Sequence, residues 1–217
     1  MTATQGASLH PGGLGLTARA RDACAFASGA RILDIGCGEG ATVRHLRSLG
    51  FEAVGLDLPA KLPEARCAGA PLLGGDAAEL PVASATFDGV FLECTLSLVS
   101  DLDQALAECA RVLVPGGRLV VSDLYARSSA PAPEPPGTLP RFVTMDRLFV
   151  ALGKHAFRVD AWHDCSAELV AYVAGRLLDA PDDAAFGDDL ARGRRLRAGY
   201  FLLLATRLCS REDRDHD

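Results

Sequence analysis

Three glycines alternate in Gly36-Cys37-Gly38-Glu39-Gly40, directly behind the apolar run Arg31–Ile35, and Asp34 stands two residues ahead of the first of them. Alternate glycines at the end of a buried strand let the chain bend sharply, and let a ligand reach the backbone with no side chain in between. The bend alone also fits a dinucleotide fingerprint, because Gly36, Gly38 and Ala41 match G-x-G-x-x-A. Asp34 separates the two ligand classes. A dinucleotide would bring a pyrophosphate to this bend, where a carboxylate repels it, whereas an ammonium and a sulfonium are attracted. The charge pattern therefore points to S-adenosylmethionine.

More acids follow at intervals that suit the same ligand. Asp57 closes a second apolar run, twenty-one residues after Gly36, where an acid accepts hydrogen bonds from both ribose hydroxyls of either cofactor. Asp76, in Gly75-Asp76-Ala77, is placed to accept from an adenine amino group, and Phe87–Glu93 ends in a further acid. Any one of these could merely cap a helix or open a turn. The ordered set behind successive strands is what points to a ligand.

The elements that must position these residues alternate between strand and helix, which predicts a parallel sheet covered by helices. Strands are predicted at Arg31–Ile35, Ala53–Asp57, a short run ending at Gly75, Asp88–Glu93, Arg118–Asp123, Phe157–His163 and Gly199–Thr206. Helices are predicted over Leu14–Ala27, 40–49, 60–68, Asp101–Val112, Thr144–Gly153 and Ala167–Leu178; in Asp101–Val112, Leu102, Leu106, Cys109 and Val112 recur at helical spacing. Pro115-Gly116-Gly117 reads as a turn between helix and strand. The Pro- and Ala-rich stretch Ser128–Pro140 reads as a loop over the sheet, lid-like within 126–141. One domain over 1–209 is expected, with 1–30 as an N-terminal cap and helix and 210–217 as a flexible charged tail.

Composition narrows the partners. The 217 residues carry a net charge of −6, which argues against a nucleic-acid surface; the basic run Arg192–Arg197 reads as a solvated helix end. No apolar run is long enough to span a bilayer, and the start, MTATQGASLHPGG, lacks a basic segment followed by an apolar core. Seven cysteines form no CxxC pair, and most lie in apolar stretches, as reduced core thiols of a cytoplasmic protein do. No metal site is expected, and the oligomeric state is not legible.

Residues 31–124 resemble the small class I S-adenosylmethionine-dependent methyltransferases of the ubiquinone/menaquinone-biosynthesis type, through LDIGCGEG, GLDL, GDAAELP, FDGVF, LAECARVLVPGG and RLVVSDLY. The resemblance implies a Rossmann-like α/β fold with a seven-stranded, mostly parallel sheet whose last strand, here Gly199–Thr206, is antiparallel. It implies that Asp34, Gly36 and Gly38 face the methionine part of the cofactor, Asp57 the ribose, and Asp76 with Ala77 the adenine. Cys37, Leu58 and Glu93 complete the implied cofactor set. The family often has Ser or Thr shortly after the ribose acid. Here Leu58-Pro59 stands there, and Pro is acceptable in a first helical turn.

In-line methyl transfer to a small-molecule acceptor is then the expected activity, and proximity with orientation can supply most of the acceleration. Glu93 is the expected catalytic residue, as a base, an orienting group or a cofactor contact. Glu93-Cys94-Thr95-Leu96 is no Asn-Pro-Pro-Tyr motif, which sets aside methylation of amide or aromatic-amine nitrogens. His10, Cys94, Tyr125 and His163 are the candidates for lining the acceptor pocket. Cys37, Cys94 and Cys165 suggest a soft acceptor such as a thiol or arsenite as a sharper possibility. The competing readings are a nucleotide-binding oxidoreductase, against which the missing Tyr-x-x-x-Lys pair also speaks, and a catalytically silent cofactor-binding protein.

Overall fold

Four consecutive buried residues, Ile32 to Ile35, make β1 (Arg31–Ile35) a strand covered on both faces, the pattern of a parallel sheet sandwiched by helices. The computed structural model describes residues 10–62, 70–127, 141–180 and 184–209. Around β1 lie α1 (Gly13–Cys24), α2 (Ala41–Ser48), β2 (Glu52–Asp57), β3 (Leu72–Gly74) and β4 (Phe87–Glu93). A 3-10 turn at Leu96–Leu98 leads to α3 (Leu102–Val112), β5 (Leu113–Ala126), β6 (Val143–Thr144) and α4 (Met145–Lys154). The chain ends with β7 (Phe157–Asp164), α5 (Ser166–Asp179), α6 (Ala184–Arg195) and β8 (Ala198–Arg207).

The strands are ordered β3-β2-β1-β4-β5-β8-β7, with the two-residue β6 paired beside β5. All pairs are parallel except those of β8, which runs antiparallel to both β5 and β7. The antiparallel last strand thus stands as expected. Because the chain winds outward from β1 through β2 to β3 and then returns to β4, the strand order reverses between β1 and β4. Their carboxyl ends open on a crevice, the usual ligand position in such sheets. Asp34 sits there, in register with Gly55 on one side and Phe91 on the other.

Side-chain alternation divides the core in two. Ile32, Phe91, Val120, Tyr200 and Leu202 pack under α1, α2 and the start of α5. Leu33, Ile35, Leu92, Val121 and Phe201 pack under α3 and α4. The α3 helix is well specified locally. Asp101 caps it by accepting from Gln104 N, and Ala105, Leu106, Cys109 and Val112 form its buried stripe. The α4 helix is capped in the same way by the Thr144 hydroxyl.

Three expectations needed correction. Pro115–Gly117 is not a free turn: it bulges within β5, whose register on β4 jumps from Phe87↔Leu113 to Gly89↔Arg118, with Gly116 at φ +82. Two elements, β6 and α6, were not foreseen. The α6 sequence, AAFGDDLARGRR, holds two glycines and two aspartates, residues that disfavour helix, so only its basic end was legible. The helix expected over 60–68, the lid at Ser128–Pro140 and the tail after Ser210 lie wholly or mostly outside the described residues. No helix among the described residues is long and apolar enough to cross a membrane.

Candidate active site

The glycine bend is built by positive backbone angles: Gly36 has φ +75, Gly38 φ +51 and Gly40 φ +74. Gly36 and Gly38 do different work. A Cβ on Gly36 would lie 2.1 Å from Thr95 Oγ1, so this glycine is required by close packing of the β1 and β4 ends. A Cβ on Gly38 would meet nothing within 4 Å. Gly38 is therefore the position that faces open space, and its N–H donates to Asp57 Oδ2 at 2.8 Å. The bend and the acid closing β2 are thereby tied together. Asp57 also accepts from Leu58 N through its other oxygen.

Asp34, Asp57 and Glu93 surround this bend on the α1/α2 side of the sheet. Asp34 is buried, and no described residue donates a hydrogen bond to its carboxyl. Burial first, then the charges of Glu93 and Asp57, push its carboxyl well above the usual aspartate range. Glu93 is held differently. The Thr17 hydroxyl of α1 donates to Oε1 at 2.7 Å and the Thr42 hydroxyl of α2 donates to Oε2 at 2.6 Å. His10 Nε2 stands 3.6 Å from Oε2. Among the described residues, no Lys or Arg pairs with any of the three acids. An acidic crevice that no Lys or Arg neutralises suits a ligand bearing ammonium and sulfonium charge, and repels a pyrophosphate. The donor set and the open face of Gly38 therefore fit S-adenosylmethionine.

The other predicted residues are distributed as follows. Asp76 is exposed and accepts from Ala78 N, while Ala77 is buried in the core beside it. Leu58 is exposed next to Asp57. Cys37 packs its sulfur over Gly55, where a Cβ would come within 2.6 Å. Cys94 follows Glu93 in the left-handed region at φ +54, and its sulfur lies 3.2 Å from the Tyr200 hydroxyl, which donates onward to Ser122. Tyr125 is on the opposite, α3/α4 face of the sheet. Its hydroxyl is engaged by Asp164 and Arg127, so it is not brought together with Glu93. His163 is exposed near the end of the edge strand β7.

The thiols of Cys37, Cys94 and Cys165 are all raised above the usual cysteine range, burial being the first cause in each. Burial, with Asp34 and Asp57 nearby, pushes Cys37 up to about 12, and burial with Asp123 nearby pushes Cys94 up as well. Soft-metalloid chemistry needs thiolates, and no group of three potential metal ligands gathers among the described residues.

Several features were beyond sequence reasoning. Thr17 and Thr42 reach Glu93 across 76 and 51 residues of chain, a relation no local spacing encodes. Asp123, buried behind the site, accepts from Ser97 N and Leu124 N and so anchors the 3-10 turn that follows Cys94. A cleft of about 360 Å³ lies between Gly12 and α5, lined by Glu168, Ala171, Tyr172, Gly175 and Arg176. Burial raises the Tyr172 phenol, and the Arg176 guanidinium opposes it; Gly12 on the cleft wall is two residues from His10, which stands 3.6 Å from Glu93.

A mostly parallel sheet with its antiparallel strand next to β5, and an acid-lined crevice where the strand order reverses, define the Rossmann-like methyltransferase class. A methyltransferase-domain profile matches residues 33–121. The demethylmenaquinone methyltransferase of Mycolicibacterium paratuberculosis is 32% identical over 193 residues, covering 85% of this chain and 79% of that protein. The chain belongs to the class I S-adenosylmethionine-dependent methyltransferases. Among solved structures, the [4+2]-cyclase SpnF superposes with a TM-score of 0.71 at 25% identity, covering 90% of this chain and 81% of that one. Haemonchus contortus phosphoethanolamine N-methyltransferase 2, in complex with S-adenosyl-L-methionine, shares the fold with a TM-score of 0.75 at 18% identity, covering 94% and 55%.

Proposed function

We propose that the chain transfers a methyl group from S-adenosylmethionine to a small-molecule acceptor that enters between the His10–Gly13 turn and α5. The observation that carries this reading is the trio Asp34, Asp57 and Glu93 around the open Gly38, with no Lys or Arg partner among the described residues and with His10 beside Glu93. When bound, the cofactor supplies a methyl group already activated by its positive sulfur. Asp57, tied to the bend through Gly38 N, is the ribose acceptor, and Asp34 with Glu93 attracts the cationic amino-acid end. Asp76 and Ala77 border the adenine. The cleft beside Tyr172 takes the acceptor, and its volume falls at the lower end of small-ligand pockets. Holding two reactants in line supplies on the order of 7–11 kcal/mol of a transfer barrier. The protein's main task is therefore positioning.

The net charge of −6 supports a small acceptor over a nucleic acid, as does a demethylmenaquinone-methylating relative. Free cysteines among the described residues support a reducing, cytoplasmic setting. Incubation of the protein with methyl-labelled cofactor and fractionated metabolites tests the assignment. Label is expected in a small molecule, and transfer confined to protein or RNA contradicts it. A second reading draws on the similarity to a cyclase of this fold: the crevice binds the cofactor while the cleft serves another transformation. Binding of S-adenosylhomocysteine with no label transfer to any fraction selects that reading.

A further inference from the structure

Both oxygens of Glu93 are already engaged by the protein, and by two different helices. Thr17 is fully buried in α1, Thr42 is buried in the first turn of α2, and their hydroxyls reach one carboxylate oxygen each. A carboxylate has about four acceptor sites. Two hydroxyl donors fix its rotamer and leave one lone pair on each oxygen for a further donor. The Glu93 side chain is only 6% exposed. Its other neighbour is His10, whose Nε2 stands 3.6 Å from Oε2.

We infer that Thr17 and Thr42 are positioning residues: they clamp Glu93 in one orientation so that its remaining acceptors receive the ammonium of the cofactor's amino-acid end. This rests on the cofactor reading above and adds to it the source of Glu93's orientation. The clamp also joins α1 to the end of β4, so the helix that follows the His10–Gly13 turn is seated by the same carboxylate. Preorganisation of this kind raises affinity by removing side-chain ordering from the binding step.

The test is a comparison of two nucleosides by calorimetry. S-adenosylhomocysteine carries the ammonium; 5′-methylthioadenosine has the same ribose and adenine without the amino-acid end. Thr17→Val and Thr42→Val are each expected to weaken S-adenosylhomocysteine about tenfold, a share of one hydrogen bond to a charged group. Methylthioadenosine should stay within about twofold of wild type, the usual scatter for independent sites. Thr17→Ser and Thr42→Ser should restore affinity for S-adenosylhomocysteine. In a Glu93→Gln background the valine substitutions should cost nothing more, because they act through Glu93.

Equal weakening of both nucleosides, an undiminished valine penalty in the Glu93→Gln background, or no effect on either nucleoside overturns the clamp. If a valine variant does not fold, the serine variants and Glu93→Gln decide. Serine must bind as wild type, and Glu93→Gln must weaken S-adenosylhomocysteine while sparing methylthioadenosine; any other pattern overturns the inference. A wild-type protein that binds neither nucleoside refutes the cofactor assignment itself, and is thereby distinguished from failure of the clamp alone.

Discussion

Asp34 shows how a residue can be placed against stability for the sake of binding. Burial and two neighbouring acids raise its carboxyl. Its stabilising contribution is therefore complete below the unfolded aspartate range and is lost as pH rises through the folded value. Asp34→Asn cannot ionise, so at pH 8 the ligand-free variant should melt higher than wild type, by about 2–4 °C for each kcal/mol regained. The same change removes attraction for a cation. S-adenosylmethionine affinity should fall on the order of tenfold to a hundredfold, the worth of one charge-assisted hydrogen bond. Differential scanning calorimetry and titration check the two signs, and a variant that loses stability while keeping affinity contradicts both. Asp123 carries a second pH signature. Burial raises it to about 6 despite the donors from Ser97 and Leu124. Its contribution is likewise complete below the unfolded aspartate range and fades through about pH 6, so Asp123→Asn should gain on wild type between pH 5 and 8, by on the order of 1 kcal/mol. Denaturant titrations across that range read the difference, and a constant offset would count against it. Asp34, Gly36, Asp57 and Glu93 were visible in the sequence because their chemistry is tied to local spacing. Thr17, Thr42 and Asp123 were not, because a hydroxyl or carboxylate acquires its role only from partners far along the chain.

At the scale of elements, the β1–α2 bend divides its tasks between glycines that look alike in sequence. Gly36 is needed for packing against Thr95, whereas Gly38 is needed for its open face. Gly36→Ala should therefore cost several kcal/mol, as overpacking of a close contact at a positive φ does, and much of the protein should fail to fold. Gly38→Ala adds its methyl to open space and should cost only about 1 kcal/mol for the left-handed backbone, while obstructing S-adenosylhomocysteine. Melting and binding of the two variants side by side test the division; equal melting temperatures refute it. The α5 helix offers a cleaner test of the acceptor cleft. A Cβ at Gly175 meets nothing within 4 Å, and phenylalanine has a higher helix propensity than glycine by a few tenths of a kcal/mol. Gly175→Phe should fill the cleft, leave S-adenosylhomocysteine binding intact and abolish label transfer; undiminished transfer would move the acceptor elsewhere. Strongly periodic elements such as α3 were legible from their stripe and cap. The α6 helix and the bulge at Pro115–Gly117 were not, because packing overrides a glycine-containing sequence in the first and strand pairing absorbs a turn signal in the second.

For the whole molecule, the sheet brings acids from β1, β2 and β4 to one crevice, because winding outward from β1 and then back to β4 leaves their carboxyl ends adjacent. The alternation of strands and helices made the helix-covered parallel sheet readable, and the resemblance to class I methyltransferases implied its antiparallel last strand. What the alternation could not supply was the face on which each rim residue falls: Tyr125 shares the rim but lies on the α3/α4 side, away from Glu93. The cofactor assignment depends on the crevice preferring positive charge. Calorimetric titration of the wild-type protein with S-adenosylhomocysteine and, separately, with NADH tests that most directly. Saturable one-site binding of the first and none of the second is predicted. Binding of NADH at this crevice, or no binding of S-adenosylhomocysteine, would contradict it.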